Sequence, residues 1–180
     1  MSAHNFRLAS LLTAYPKENY SDDLRSEYID LFDRGHQSTP LYETEYARAR
    51  TMVKGSELVD IAGFYKAFGL QIGPEMVDHI AVELEFYGWL LQKNDYLEQI
   101  GDTEGQQIVL DARKKFLRSH LGPFIGAICE RPGLAKSEFY SAVFAHTRDL
   151  VHAECATLEV PIETLSWVEG TGEPDKIECC

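Results

Sequence analysis

Between Pro74 and Leu91 the chain reads PEMVDHIAVELEFYGWLL, and Val77, Ile80, Ala81, Leu84, Gly88 and Leu91 fall three or four residues apart. Such steps put the side chains on one stripe of an α-helix, where a strand would need alternation at every second residue. Pro74 suits a first helical turn, whose N–H groups have no partner within the helix. A stripe of this kind has to be buried, so the spacing predicts a central helix with other helices packed around it. On a second face, Glu75, Asp78 and His79 fall in the first turn and a half, where the helix dipole and free N–H groups favour carboxylates. The result is an acidic patch with one imidazole, which by itself reads first as a well-capped helix start.

The other segments carry the same period. Asn5 to Ala14 presents Phe6, Leu8, Ala9, Leu11 and Leu12 before Pro16 stops it. Ser21 reads as an N-cap followed by Asp22 and Asp23, then by Leu24, Tyr28, Leu31 and Phe32, and Gly35 suits the C-terminal cap. Leu41 to Val53 reads as a short helix with Tyr42, Glu45 and Tyr46 close together, tyrosines that line the edge of a core or a groove. Ser56 and Glu57 open a helix expected to turn Val59, Ala62, Phe64, Tyr65 and Phe68 inward, and Gly69 closes it. Asp102-Thr103-Glu104 starts another, with Ile108, Val109, Ala112, Phe116 and Leu117 inward and Arg113, Lys114, Lys115 and Arg118 as a charged face. LGPFIGAIC, 121–129, reads as a buried turn or short helix, and Ser137-Glu138 cap a last long helix through Val151.

No segment alternates with period two and no long repeat emerges. The expectation is all-α, a single-domain helical bundle of about seven to nine helices over residues 1–158. From Glu159 the composition turns acidic and turn-forming, so 159–180 is expected to be a poorly ordered C-terminal tail.

A chain of 180 residues can bury one sizeable core. Its 17 Lys+Arg against 29 Asp+Glu give a net charge of −12, which argues against a nucleic-acid partner and for one carrying Arg or Lys. The start, MSAHNFRLASLLTAYP, lacks the pattern of a secretory signal, and no stretch is apolar enough to span a membrane, so the expected location is cytoplasmic without stable membrane insertion. Cys129, Cys155, Cys179 and Cys180 form no C-x-x-C pair; the first two read as buried thiols.

Chemistry motifs are sparse. A di-metal carboxylate bundle needs Glu-x-x-His on two helices, and none occurs. Asp149-x-x-His152 with Cys155 offers one helix face, too few ligands to hold an ion tightly. The glycine loops that cradle phosphates and the serine-hydrolase elbow are missing too. No cofactor or metal is expected, and the chain reads as a binding protein rather than an enzyme.

Three stretches carry a resemblance. Tyr28-Ile-Asp-Leu-Phe32-Asp-Arg-Gly35, Pro40-Leu-Tyr42-Glu43-Thr-Glu-Tyr46 and Glu75-Met-Val-Asp78-His79-Ile80-Ala-Val-Glu83-Leu84-Glu85-Phe86 are similar to the Y-x-x-L-F, P-x-Y-E-S-x-Y and E-x-x-D-H-[hydrophobic]-x-x-E-L-x-[aromatic] segments of the TorD/DmsD/NarJ family. Phe116-Leu-Arg-Ser-His120-Leu, followed by Phe139-Tyr140, is a weaker fourth match. The resemblance implies an all-helical cytoplasmic chaperone of molybdoenzymes. Such a chaperone binds the N-terminal signal peptide of a catalytic subunit, of twin-arginine type or a remnant of one, and holds the apoenzyme until its molybdenum cofactor is inserted. The implied partners are the catalytic subunit, its signal peptide and proteins of molybdenum cofactor biosynthesis.

A basic leader followed by an apolar run calls for carboxylates beside an apolar groove. Glu75, Asp78 and His79 are therefore expected at the charged end of a peptide groove, with Tyr42, Glu43 and Tyr46 along its wall. Asp78 and His79 match family positions implicated in peptide binding; Glu43 follows from charge and spacing. On this reading, Asp78→Ala with His79→Ala leaves the fold intact and weakens peptide binding. The competing readings are a helical adaptor for a folded basic protein, and a small metal- or thiol-dependent enzyme using His146, Asp149, His152 and Cys155.

Overall fold

Ser2, Ser21, His79, Asp102 and Ser137 each accept a hydrogen bond from a backbone N–H two or three residues on, and a helix begins after each of them. The computed structural model describes residues 2–17, 20–33, 39–46, 53–71, 77–163 and 165. The α-helices among them are α1 (Ala3–Thr13), α2 (Asp22–Tyr28), α3 (Val53–Ala67), α4 (Ile80–Ile100), α5 (Thr103–Phe116), α6 (Gly122–Cys129) and α7 (Glu138–Thr157). A π-turn, Leu117–Leu121, joins α5 to α6 in one rod, so the seven helices make six rods. The described residues hold no strand, and the all-α reading stands.

The central helix is α4, whose Ile80, Leu84, Tyr87, Leu90 and Leu91 are buried. α1 lies against it where Gly88 permits close approach: a Cβ there would sit 3.2 Å from Arg7 Cγ and 3.3 Å from the Ala3 carbonyl oxygen. Phe6 packs on Tyr87 with ring centroids 4.7 Å apart. Gly101, at φ 71°, ends α4 in the left-handed conformation that suits glycine. Further down the chain, Pro123 has no N–H to give and a ring that crowds the preceding turn. The π-turn makes room for it, and at Gly122 a Cβ would meet the Leu117 carbonyl oxygen at 2.5 Å.

Several expectations are corrected. The central helix begins at Ile80 rather than Pro74, because the backbone at Asp78 and His79 bonds sideways to the 41–43 segment: Ile80 N–H donates to Leu41 O and Glu43 N–H to Asp78 O, both at 2.9 Å. The helix expected over 41–53 shortens, within the described residues, to a 3-10 turn at Glu43–Tyr46. Val59 is 73% exposed, since Ile61, Phe64, Tyr65 and Phe68 form the inward stripe of α3 and Val59 lies on the opposite face. Ile108 is exposed as well, whereas Arg113, read as surface charge, is buried. There it meets Glu154, whose carboxylate also accepts from Tyr87 Oη at 2.9 Å. In the tail region, Val160 is buried and Leu165 packs on the core, while 166–180 lies outside the described residues.

Candidate functional site

Tyr42 and His79 form an isolated antiparallel bridge. This bridge ties the 3-10 turn to the start of α4, and the two rings meet edge to face at 5.1 Å. His79 is also the N-cap of α4, its Nδ1 accepting from Ala81 N–H at 3.1 Å. Beneath the bridge Asp78 is wholly buried, and its Oδ2 accepts from Thr44 Oγ1 at 2.7 Å and Thr44 N–H at 3.2 Å.

Behind that junction lies a cluster in which His120 and Glu43 are buried while Asp60 is open to solvent. His120, on the π-turn, has Nδ1 at 3.1 Å from Glu43 Oε2 and Nε2 at 3.0 Å from Asp60 Oδ2. Burial pulls the His120 pKa down, but the hydrogen bonds and charges of Glu43 and Asp60 outweigh it and the net shift is upward. With a carboxylate at each nitrogen, the imidazolium donates on both sides. Glu83 is wholly buried nearby, and burial followed by the Glu43 and Asp78 charges pushes its pKa well above the carboxylate range, so it holds its proton. Three of the stretches that carried the resemblance thus converge on one buried network: Glu43, Asp78 with Glu83, and His120.

The open surface beside the junction is a groove of about 850 Å³ between α1, α2, the 41–42 segment and the start of α4. Leu11, Phe32, Leu41 and Val82 give it apolar walls, and Tyr15, Tyr28, Tyr42 and His79 give it aromatic ones. Its charged lining is mixed, with Asp33 and Glu85 against Arg7 and Lys17. It is not the purely acidic rim that the sequence led one to expect.

Of the six residues expected at a peptide groove, the structure brings Tyr42 and His79 to its wall. Glu43, Tyr46 and Asp78 lie behind that wall instead, each 5% exposed or less, because each has a structural partner. Glu43 meets His120, Tyr46 Oη donates to Pro40 O at 2.8 Å, and Asp78 accepts from Thr44. Glu75 lies outside the described residues. Asp33, Glu85 and the α1 lining were missed, though the exposed apolar face of α1 was the signal: Leu11 is 60% exposed. His120 was noted in a weak motif, but nothing local marks it as the partner of Glu43.

The residues of the enzyme reading do not assemble. Asp149 pairs with Arg148, His146 is exposed, and burial pushes the Cys155 and Cys129 thiols up to about 11, far from thiolate at neutral pH. Among the described residues no three His, Cys, Asp or Glu side chains converge to hold a metal ion. No described helix is long and apolar enough to cross a membrane.

A helical scaffold with an aromatic-walled groove beside a buried acid–imidazole network defines a class, the all-α domain without a sheet among its described residues. Within it the chain belongs to the family described as nitrate reductase delta subunit, which it matches over residues 2–130. The resemblance drawn from the motifs therefore holds. Over 108 residues the chain is 29% identical to the chlorate reductase assembly chaperone protein of Ideonella dechloratans, a match covering 58% of this chain and 54% of that one. The match spans about half the length of that relative. In fold, the chain is similar to a proposed redox enzyme maturation protein from Archaeoglobus fulgidus. The TM-score is 0.51 at 20% identity, over 84% of this chain and 94% of the other.

Proposed function

We propose that this chain is an assembly chaperone for a molybdenum-containing oxidoreductase, and that its groove receives an N-terminal segment of the catalytic subunit. The observation that carries this reading is the groove of about 850 Å³ beside the Tyr42–His79 bridge, apolar along its walls and furnished with two carboxylates. Family membership and the assembly role in the relative's name support it. A leader of the twin-arginine type, or a remnant of one, fits such a surface: its apolar run covers Leu11, Phe32 and Leu41, and its basic residues face Asp33 and Glu85. Occupation would keep the catalytic subunit from export or assembly until its cofactor is inserted. The net charge of −12 favours the encounter with a basic segment. The further partners on this reading are proteins of molybdenum cofactor biosynthesis, and the place of action is the cytoplasm.

Calorimetric titration with synthetic peptides covering the N-termini of candidate catalytic subunits tests the proposal. Tyr42→Ala combined with His79→Asn, which keeps an N-cap side chain, is expected to weaken binding about tenfold or more with unchanged helical circular dichroism. Equal affinity of the variant and the natural chain would remove the groove from the interaction.

A further inference from the structure

His120 stands between two carboxylates whose surroundings differ. Glu43, on the 3-10 turn, is buried and presents its two oxygens to Nδ1 at 3.1 and 3.2 Å. Asp60, on α3, lies 3.0 Å from Nε2, and its side chain is 64% exposed. The imidazole ring packs between Phe64 of α3 and Phe116 of α5, at centroid distances of 5.7 and 5.3 Å, so packing as well as the two acids sets its plane. The charges that act on it are those of Glu43 and Asp60, and together they favour the imidazolium against its burial. The other ionisable groups around Glu43 are Asp78, the protonated Glu83 of α4 and Tyr65 of α3, whose hydroxyl burial keeps protonated. Helix α3 rests its Tyr65 and Phe68 rings on Phe86 and Trp89 of α4, and Tyr65 Oη donates to Val77 O at 2.8 Å. Asp60, more than one turn earlier, ties the same helix to the π-turn.

An imidazolium donates at both nitrogens, whereas a neutral imidazole donates at one and holds a lone pair at the other. When His120 loses its proton, the remaining N–H stays with Glu43, because a buried carboxylate without a donor costs far more than a hydrated one. The proton therefore leaves Nε2 for water beside the open Asp60 carboxylate. The electron pair left on Nε2 then faces an Asp60 oxygen at 3.0 Å, two acceptors with no hydrogen between them. Asp60 relaxes into solvent and draws α3 with it. We propose that Glu43, His120 and Asp60 form a proton-operated latch: ionised, His120 clamps α3 to the π-turn, and neutral, it lets α3 lift from the aromatic layer beneath. No residue of α3 is in the described lining of the groove, so the latch stands or falls separately from what the groove receives.

Trp89 reports on the latch, because it is half-buried against Phe68 of α3 with ring centroids 5.7 Å apart. The test uses the full chain with Trp167→Phe, which leaves Trp89 as the one tryptophan. Its fluorescence is recorded from about pH 5.5 to about pH 9, beside the His120 ring signals in an NMR spectrum and the far-ultraviolet circular dichroism. The expected result is a red shift of emission that follows the loss of the His120 proton, with a midpoint above 6.5 and no global unfolding. Asp60→Asn separates a latch from a merely structural contact, since an amide accepts from an imidazolium and donates to a neutral imidazole. In that variant the emission should stay flat while His120 titrates about one pH unit lower. Glu83→Gln should keep the transition. A flat Trp89 signal while His120 titrates, a His120 that keeps its proton throughout, an unaltered transition in Asp60→Asn, or its loss in Glu83→Gln would each overturn the latch.

Discussion

His120 Nδ1 lies 3.1 Å from the Glu43 carboxylate and so joins the π-turn between α5 and α6 to the turn that carries Tyr42. Both side chains are buried, at 3% and 5% exposure, and removal of His120 takes the imidazole away from the buried Glu43 carboxylate. His120→Ala is therefore expected to lower stability by about 3 kcal/mol, read as a lower urea midpoint. The same variant should shift the Tyr42 ring signal, because the turn loses its anchor. An unchanged midpoint would mean that water replaces the imidazolium at no cost.

The pH dependence follows from two raised pKa values. His120 is raised, so its contribution is fully present below the ordinary value of 6.5 and is lost as pH rises through the folded value. Glu83 is raised well above 4.5, so the folded chain keeps a proton the unfolded chain has released, and stability again falls with rising pH. Thermal unfolding at about pH 5 and about pH 8 should show the loss, and Glu83→Gln should flatten it by removing the second contribution. A Glu83→Gln profile parallel to that of the natural chain would rule out the protonated Glu83.

Tyr87, Arg113 and Glu154 form a second buried ionic cluster, with Tyr87 on α4 four residues beyond Glu83. Glu154→Ala strands a guanidinium in the core and is expected to cost about 3–5 kcal/mol in chemical denaturation. Arg113→Met with Glu154→Leu removes both charges and should recover most of that loss. A double variant as unstable as the single one would show that the pair itself, not the stranded charge, supports the fold.

Gly88 is where α1 comes closest to α4, and its surroundings separate two substitutions. Gly88→Ala gains helix propensity of about 1 kcal/mol against contacts of 3.2–3.3 Å, so the net change in melting temperature should be small. Gly88→Leu forces α1 outward and should cost about 2–3 kcal/mol. Because α1 forms one wall of the groove, the leucine variant should also bind client peptides more weakly than the alanine variant.

Asp78 gives the clearest revision of a sequence-based expectation. Its carboxylate is buried and accepts from both the N–H and the hydroxyl of Thr44, so Asp78→Ala leaves two donors unsatisfied. A loss of about 2–3 kcal/mol is expected, visible in the urea midpoint before any peptide is added. The combination Asp78→Ala with His79→Ala therefore tests the fold as much as the groove.

What the sequence by itself determined was local. Ser21, Asp102 and Ser137 cap helices as their spacing foretold, because capping engages N–H groups within three residues and needs no distant partner. The stripe of α4 was legible for the same reason: its period comes from the helix, although Asp78 and His79 ahead of it were drawn off by the 41–43 segment. Only the tertiary structure decided which charged and tyrosine side chains face water. Thr44 and Asp78 are 34 positions apart, and Glu43 and His120 are 77. At that range, packing of α3, α4 and the π-turn fixes the neighbours, so a carboxylate that looks like surface charge in the sequence becomes an interior hydrogen-bond acceptor. Asp33 and Tyr15, with no pattern of their own, become a wall of the groove by the same packing.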